Sequence, residues 1–146
     1  GSAAGAVSRL ADMGIEPYLV SSAVKLVIAQ RLVRKICEQC RQELPMSELE
    51  KMDLPTDIVE TIEQIYRGAG CDACNGIGDK GRLPLFEVMG VRSREMRRVI
   101  TEGGTEVQVS QVARKEGLVP LKENAISMSN QGVISIEEAV KIALSD

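Results

Sequence analysis

The 146-residue chain has no histidine, no tryptophan, two tyrosines and one phenylalanine. Without histidine there is no Ser-His-Asp triad, no imidazole metal ligand and no side chain that ordinarily changes charge near neutrality. Three rings, Tyr18, Tyr66 and Phe86, are too few for the base-stacking platform of a single-stranded nucleic-acid binder. A net charge of −3 offers no attraction to a polyanion, so no nucleic-acid partner is expected. The longest uninterrupted apolar run is Leu26-Val27-Ile28-Ala29. A bilayer-spanning helix needs about 20 such residues, so no direct membrane insertion is expected. No segment of the secretory kind opens the chain. Gly1-Ser2 reads as a cloning scar, which makes a designed piece of a longer protein the expectation.

Apolar residues make up 44% and charged residues 27%, a globular composition. The length suits one ordinary domain, or one domain carrying a small lobe. The four cysteines form two pairs, Cys37-Glu38-Gln39-Cys40 and Cys71-Asp72-Ala73-Cys74. Charge is blocked in the same places. Residues 1–36 carry net +3, 37–75 net −6, 76–98 net +3 and 99–146 net −3. The acidic block coincides with the stretch the cysteines enclose, which marks it as a distinct lobe.

Two Cys-x-x-Cys pairs can aim four sulfurs at one ion from two tight turns. The expected ion is Zn²⁺, one per chain. It accepts four thiolates in a tetrahedron and does no redox chemistry; a closed shell leaves no position for a catalytic water. Cys37, Cys40, Cys71 and Cys74 are therefore candidate ligands of a structural metal site. Two disulfides or four free thiols are the plain alternative, and a rubredoxin-like iron site is the sharper one. The first lacks a secretion signal, and the second lacks an aromatic-rich core. Four thiolates around Zn²⁺ carry net −2, which Arg34, Lys35, Arg41, Lys80 and Arg82 are placed in sequence to offset. Cys71 to Gly78 also matches the Cys-x-x-Cys-x-Gly-x-Gly unit of DnaJ-type chaperones. The first pair continues without glycines, so the likeness is read as convergence on a metal knuckle.

Helices are expected over residues 5–12, 17–24, 93–102, 121–130 and 136–144, with another from Thr105 to Gly117. Pro17 suits a first helical turn; Thr105 with Gln108, and Ser135 with Glu138, match capping boxes. Leu26 to Ile36 is read as a strand, with Ile28, Leu32 and Ile36 on one face and Val27, Ala29 and Val33 on the other. Leu83 to Val91 reads as a second strand, with Pro84 at an edge or bulge. Inside the acidic lobe, Ser47-Glu48-Leu49-Glu50 matches a capping box, and Thr56 is expected to cap a helix bearing Ile58, Ile62 and Ile65 that ends at Gly68. Gly76, Gly78 and Gly81 make a turn-rich connector. Met89, Met96 and Met128 are expected as core filler. The fold class is α+β: a mainly helical body, an antiparallel strand pair and an inserted zinc lobe.

Several ordered segments together resemble one family. They are Gly5-Ala6-Val7-Ser8-Arg9-Leu10, Asp12 to Leu19, Ala29 to Cys37, Gly70 to Gly78, Gly81-Arg82 with Phe86-Glu87-Val88, and Glu123 to Ala139. This pattern is similar to the C-terminal part of GspE/PilB-type ATPases, which power type II secretion and type IV pilus assembly. The resemblance implies a hexameric cytoplasmic motor with a RecA-like core that uses ATP and Mg²⁺. It implies peripheral attachment to the bacterial inner membrane through platform and scaffold proteins. Residues 3–36 and 75–146 would form the C-terminal subdomain of the motor, and residues 37–74 the inserted tetracysteine lobe. It also implies a nucleotide-sensing role for Arg82, whose guanidinium suits phosphate oxygens; a counter-ion for the thiolates or for Glu87 is the competing role. The chain departs from the family in having no Gly-x-x-x-x-Gly-Lys-Ser/Thr loop, so it is not expected to hydrolyse ATP alone. Asp79 and Pro84 stand where the family pattern has an aromatic and a glycine. A free-standing zinc module that binds protein is the alternative function.

Overall fold

The computed structural model describes residues 1–145. Helix α1 (Ala3–Asp12) and helix α2 (Pro17–Ala23) precede the long strand β1 (Leu26–Ile36). After the first cysteine pair come β2 (Arg41–Leu44), a 3-10 turn (Met46–Met52), the short helix α3 (Thr56–Val59) and β3 (Ile65–Gly68). Another 3-10 turn (Asp72–Cys74) leads into β4 (Asp79–Gly90). Four helices finish the chain: α4 (Arg94–Thr101), α5 (Glu106–Lys115), α6 (Leu121–Asn130) and α7 (Ile136–Leu144). The strands form two two-stranded sheets, β1 with β4 and β2 with β3. The excursion between β1 and β4 therefore holds both cysteine pairs.

Two compact units result. The first contains residues 1–30 and 86–120, the second residues 31–85 and 121–145. Strands β1 and β4 contribute residues to both.

The first unit is built on α1, α2, α4 and α5. Ala3, Ala4 and Val7 of α1 and Val20 of α2 are buried with Met89, Val91, Met96, Ile100, Val109 and Ala113. Alternation along β4 sends Leu85, Glu87 and Met89 inward and Phe86 and Val88 outward. The inward carboxylate of Glu87 accepts the N–H of Ala3 at 2.9 Å, satisfying a free donor at the start of α1. The Ser2 hydroxyl caps the same helix through Gly5 N–H, and Ser93 caps α4 through Met96 N–H. Thr105 and Gln108 form the expected reciprocal box at α5.

In the second unit, α6 packs on α7 and both meet β3. Ser135 caps α7 by accepting Glu138 N–H, but Glu138 does not return the bond to complete a box. Its carboxylate instead accepts the Arg34 N–H of β1 at 3.0 Å. Strand β1 buries Val33 while Ile28 and Leu32 face outward. Ile36 departs from that face at the strand end, where it is buried and its N–H donates to Val133. Pro84 is exposed in β4, which among the described residues pairs only with β1 and so tolerates a missing N–H.

The lobe differs from the sequence reading. The helix expected from Thr56 to Gly68 stops at Val59, and Pro55 rather than Thr56 occupies its N-cap. Ile65–Gly68 instead forms β3, antiparallel to β2 with Leu44 opposite Ile65 and Arg41 opposite Gly68. Ile58, Ile62 and Ile65 have helical spacing, but β-branched residues are weak helix formers and a strand partner was available. Asn130 of α6 fixes the break. Its Oδ1 accepts the N–H groups of Glu63 and Gln64 at 2.9 and 3.4 Å, and its Nδ2 donates to Thr61 O at 3.1 Å. The Ser47 capping box does not form either; Pro45 takes the N-cap of a 3-10 turn with no side-chain cap.

Asn130→Ala is expected to lower the stability of the second unit by about 1–2 kcal/mol, since it strips three bonds from a partly solvated segment. Thermal or urea unfolding checks this, and a change smaller than that of a surface substitution would contradict it.

Candidate metal centre

Each cysteine pair closes a tight turn in the same way. Cys40 N–H donates to Cys37 O at 3.3 Å, and Cys74 N–H to Cys71 O at 3.3 Å. The two turns diverge after their second cysteine. Beyond Cys74 the chain runs through Asn75 at φ 55°, Gly76 at φ 76° and Gly78 at φ 88°, three left-handed residues in four. Asparagine tolerates that region and glycine enters it freely. Gly76 N–H then donates to Cys71 O at 2.8 Å and Ile77 N–H to Cys74 O at 3.1 Å. The first pair leads directly into β2, which explains why it needs no glycines.

The turns bring all four sulfurs within 4.8 Å of one another. Cys37 and Cys71 are 3.7 Å apart, Cys40 and Cys74 3.8 Å, and Cys71 and Cys74 3.8 Å. A tetrahedron with metal–sulfur bonds of about 2.3 Å has edges of about 3.8 Å, which these three separations match. The same separations are well beyond the roughly 2.05 Å of a disulfide. All four cysteines are free.

Backbone donors point at two of the sulfurs. Gly70 N–H reaches Cys40 Sγ at 3.3 Å. Cys71 and Gly78 N–H reach Cys74 Sγ at 3.3 and 3.2 Å. Burial pushes the Cys40 thiol up to about 11, against the opposing effect of the Gly70 N–H. Burial also pushes Cys74 up, but the N–H groups of Cys71 and Gly78, together with the Cys71 and Cys40 thiols, outweigh it and bring the Cys74 thiol down to about 6. Nearby, burial and then the charge of Glu138 raise the Asp79 carboxyl, and Arg34 opposes them.

The expected counter-ions are distributed differently. Arg41 donates to Gly132 O at 3.1 Å. Lys35 lies along β4, with its Cδ near Gly81. Lys80 and Arg82 are exposed on β4. Met89 and Met96 are buried and Met128 is half-buried.

Sequence reasoning missed the residues that seat the lobe. Arg67 of β3 forms an ion pair with Glu137 of α7. Gly132 lies on the Tyr66 ring, so a Cβ there would come within 3.3 Å of it. Only the glycine at the α6–α7 corner hinted at that contact.

Comparison with known proteins places the sequence in a family. The family described as "Type II/IV secretion system protein" matches residues 1–141. The chain is 36% identical over 140 residues to the "Type IV pilus assembly ATPase PilB" of Thermus thermophilus, covering 94% of this chain and 16% of that protein. It is 35% identical over 143 residues to the protein of the same name from Pseudomonas aeruginosa, covering 97% and 25%. It is 32% identical over 145 residues to "Type II secretion system protein E" of Aeromonas hydrophila, covering 99% and 28%. The chain thus spans between 16% and 28% of the length of these relatives. With a family match over nearly every residue, the chain belongs to the type II/IV secretion system protein family.

Proposed function

We propose that the chain serves as the C-terminal part of a hexameric cytoplasmic ATPase that drives type II secretion or type IV pilus assembly. The family match over residues 1–141 carries this reading. A free-standing zinc module would not need to match outside the lobe. The mixed helix and strand architecture then belongs to the end of a RecA-like motor domain. Without a phosphate-cradling Gly-x-x-x-x-Gly-Lys-Ser/Thr loop, the chain itself does not turn over ATP with Mg²⁺.

Residues 37–74 act as an inserted lobe whose four cysteines hold one structural Zn²⁺. The sulfur separations support this role, and a closed thiolate shell supplies folding energy rather than chemistry. The lobe contacts a partner in the membrane-side platform or scaffold. Its charge favours a basic partner surface. Arg41, Arg67 and Lys51 are all engaged within the second unit, while Glu38, Glu43, Glu50, Asp53, Asp57, Glu60, Glu63 and Asp72 are exposed. Among the described residues no helix is long and apolar enough to cross a membrane, which fits attachment through partners.

Arg82 acts as a nucleotide sensor in the full-length motor. Its exposure on β4 leaves the guanidinium accessible to phosphate oxygens. In the full-length parent, Arg82→Ala is expected to lower ATPase turnover while zinc content stays at wild type. Unchanged turnover would return Arg82 to a structural role. For the lobe, chelation or Cys71→Ser is expected to collapse the amide NMR dispersion of residues 37–78, because the lobe's own core is small and the metal supplies about 10 kcal/mol or more in small modules. Dispersion that survives both treatments would contradict the structural role of the metal.

A further inference from the structure

Gly78 lies where the two cysteine turns meet, and every part of its backbone is engaged. Its N–H donates to Cys74 Sγ at 3.2 Å. Its carbonyl accepts the Cys37 N–H at 2.9 Å. Its α-carbon faces the Gly68 carbonyl of β3 so closely that a Cβ would sit 2.6 Å from that oxygen. The reverse clash is harsher, because a Cβ on Gly68 would lie 1.9 Å from the Gly78 oxygen. Gly76, two residues earlier, has the same demand for positive φ but a different surrounding. A Cβ on Gly76 would meet nothing within 4 Å.

We propose that Gly78 is the positioning residue of the four-sulfur site. It orients the Cys74 sulfur, anchors the start of the Cys37–Cys40 turn and seats both against β3. It sets metal affinity without touching the metal. This inference rests on the metal-binding reading above. An N–H aimed at a thiolate sulfur disperses its charge and fixes its direction, and losing such an outer partner typically weakens a metal site by about 10–100-fold. The asymmetry of the sequence has the same origin. The first turn continues as Arg41-Gln42-Glu43 with no glycine of its own, and its Cys37 N–H is held by the carbonyl of Gly78. One glycine thus serves both turns.

The test is zinc competition against a chromophoric chelator, with Co²⁺ absorption spectra, on the 146-residue chain. Four forms are compared: wild type, Gly76→Ala, Gly78→Ala, and a chain with glycolic acid at position 78. The last replaces the amide by an ester and removes the N–H without adding a side chain. Wild type is expected to take one Co²⁺ with the intense bands of a tetrahedral thiolate site. The ester is expected to bind about 10–100-fold more weakly, with shifted sulfur-to-cobalt charge-transfer bands. Gly78→Ala is expected to be at least as weak, and clearly weaker than Gly76→Ala, which carries the positive-φ strain without the clash. An ester chain that binds as tightly as wild type overturns the proposal. So do Gly76→Ala and Gly78→Ala chains weakened alike, since positive-φ strain alone would account for both. A wild-type chain that takes up neither metal removes the metal-binding reading itself, and this inference with it.

Discussion

Two backbones cross at Gly68 and Gly78 closely enough that neither residue can carry a side chain. The four-sulfur cluster stands on that crossing. β3 ends at Gly68 and β4 begins one residue after Gly78, so the approach fixes where the second cysteine turn sits. Gly70 and Gly76 repeat the motif on a smaller scale, with a Cβ on Gly70 landing 2.7 Å from the Gly76 oxygen. Sulfur positions are therefore set by backbone geometry. A metal ion bound there would add the attraction that holds four thiolates together against their mutual repulsion.

The cysteine lobe does not hang from its two strands alone. Asn130, Gly132 and Glu137 of the α6–α7 corner engage the α3–β3 link, Arg41 and Arg67 respectively. The Tyr66 ring covers the same corner. These contacts consume two of the lobe's three basic side chains and leave its acidic groups facing solvent. The lobe's exposed charge is therefore dominated by carboxylates.

Legibility in the sequence tracked the range of the interaction concerned. The cysteine turns were readable because Cys-x-x-Cys is a local geometric requirement. Strand β1 was readable from its density of β-branched residues, and the start of α5 from Thr105 and Gln108, three residues apart. The resemblance to the family rested on ordered segments along nearly the whole chain, and the family match bears it out. What failed was long range. Ile58, Ile62 and Ile65 looked helical because no local signal reveals that Leu44 lies opposite Ile65 or that Asn130 holds Thr61 to Gln64. Arg41 looked like a thiolate counter-ion because it stands next to Cys40, yet its partner is Gly132, 91 positions away. Glu138 looked like half of a capping box and instead satisfies Arg34 of β1. In each case a distant partner displaced a neighbour that sequence alone could name.

The central claim is that backbone crossings hold four thiolates ready for one Zn²⁺. Elemental mass spectrometry of the chain, purified without added metal, tests it most directly. The account predicts one zinc per chain, lost together when any of Cys37, Cys40, Cys71 or Cys74 is replaced by serine. Iron in place of zinc, or a metal-free chain with four fully reduced thiols, would contradict it.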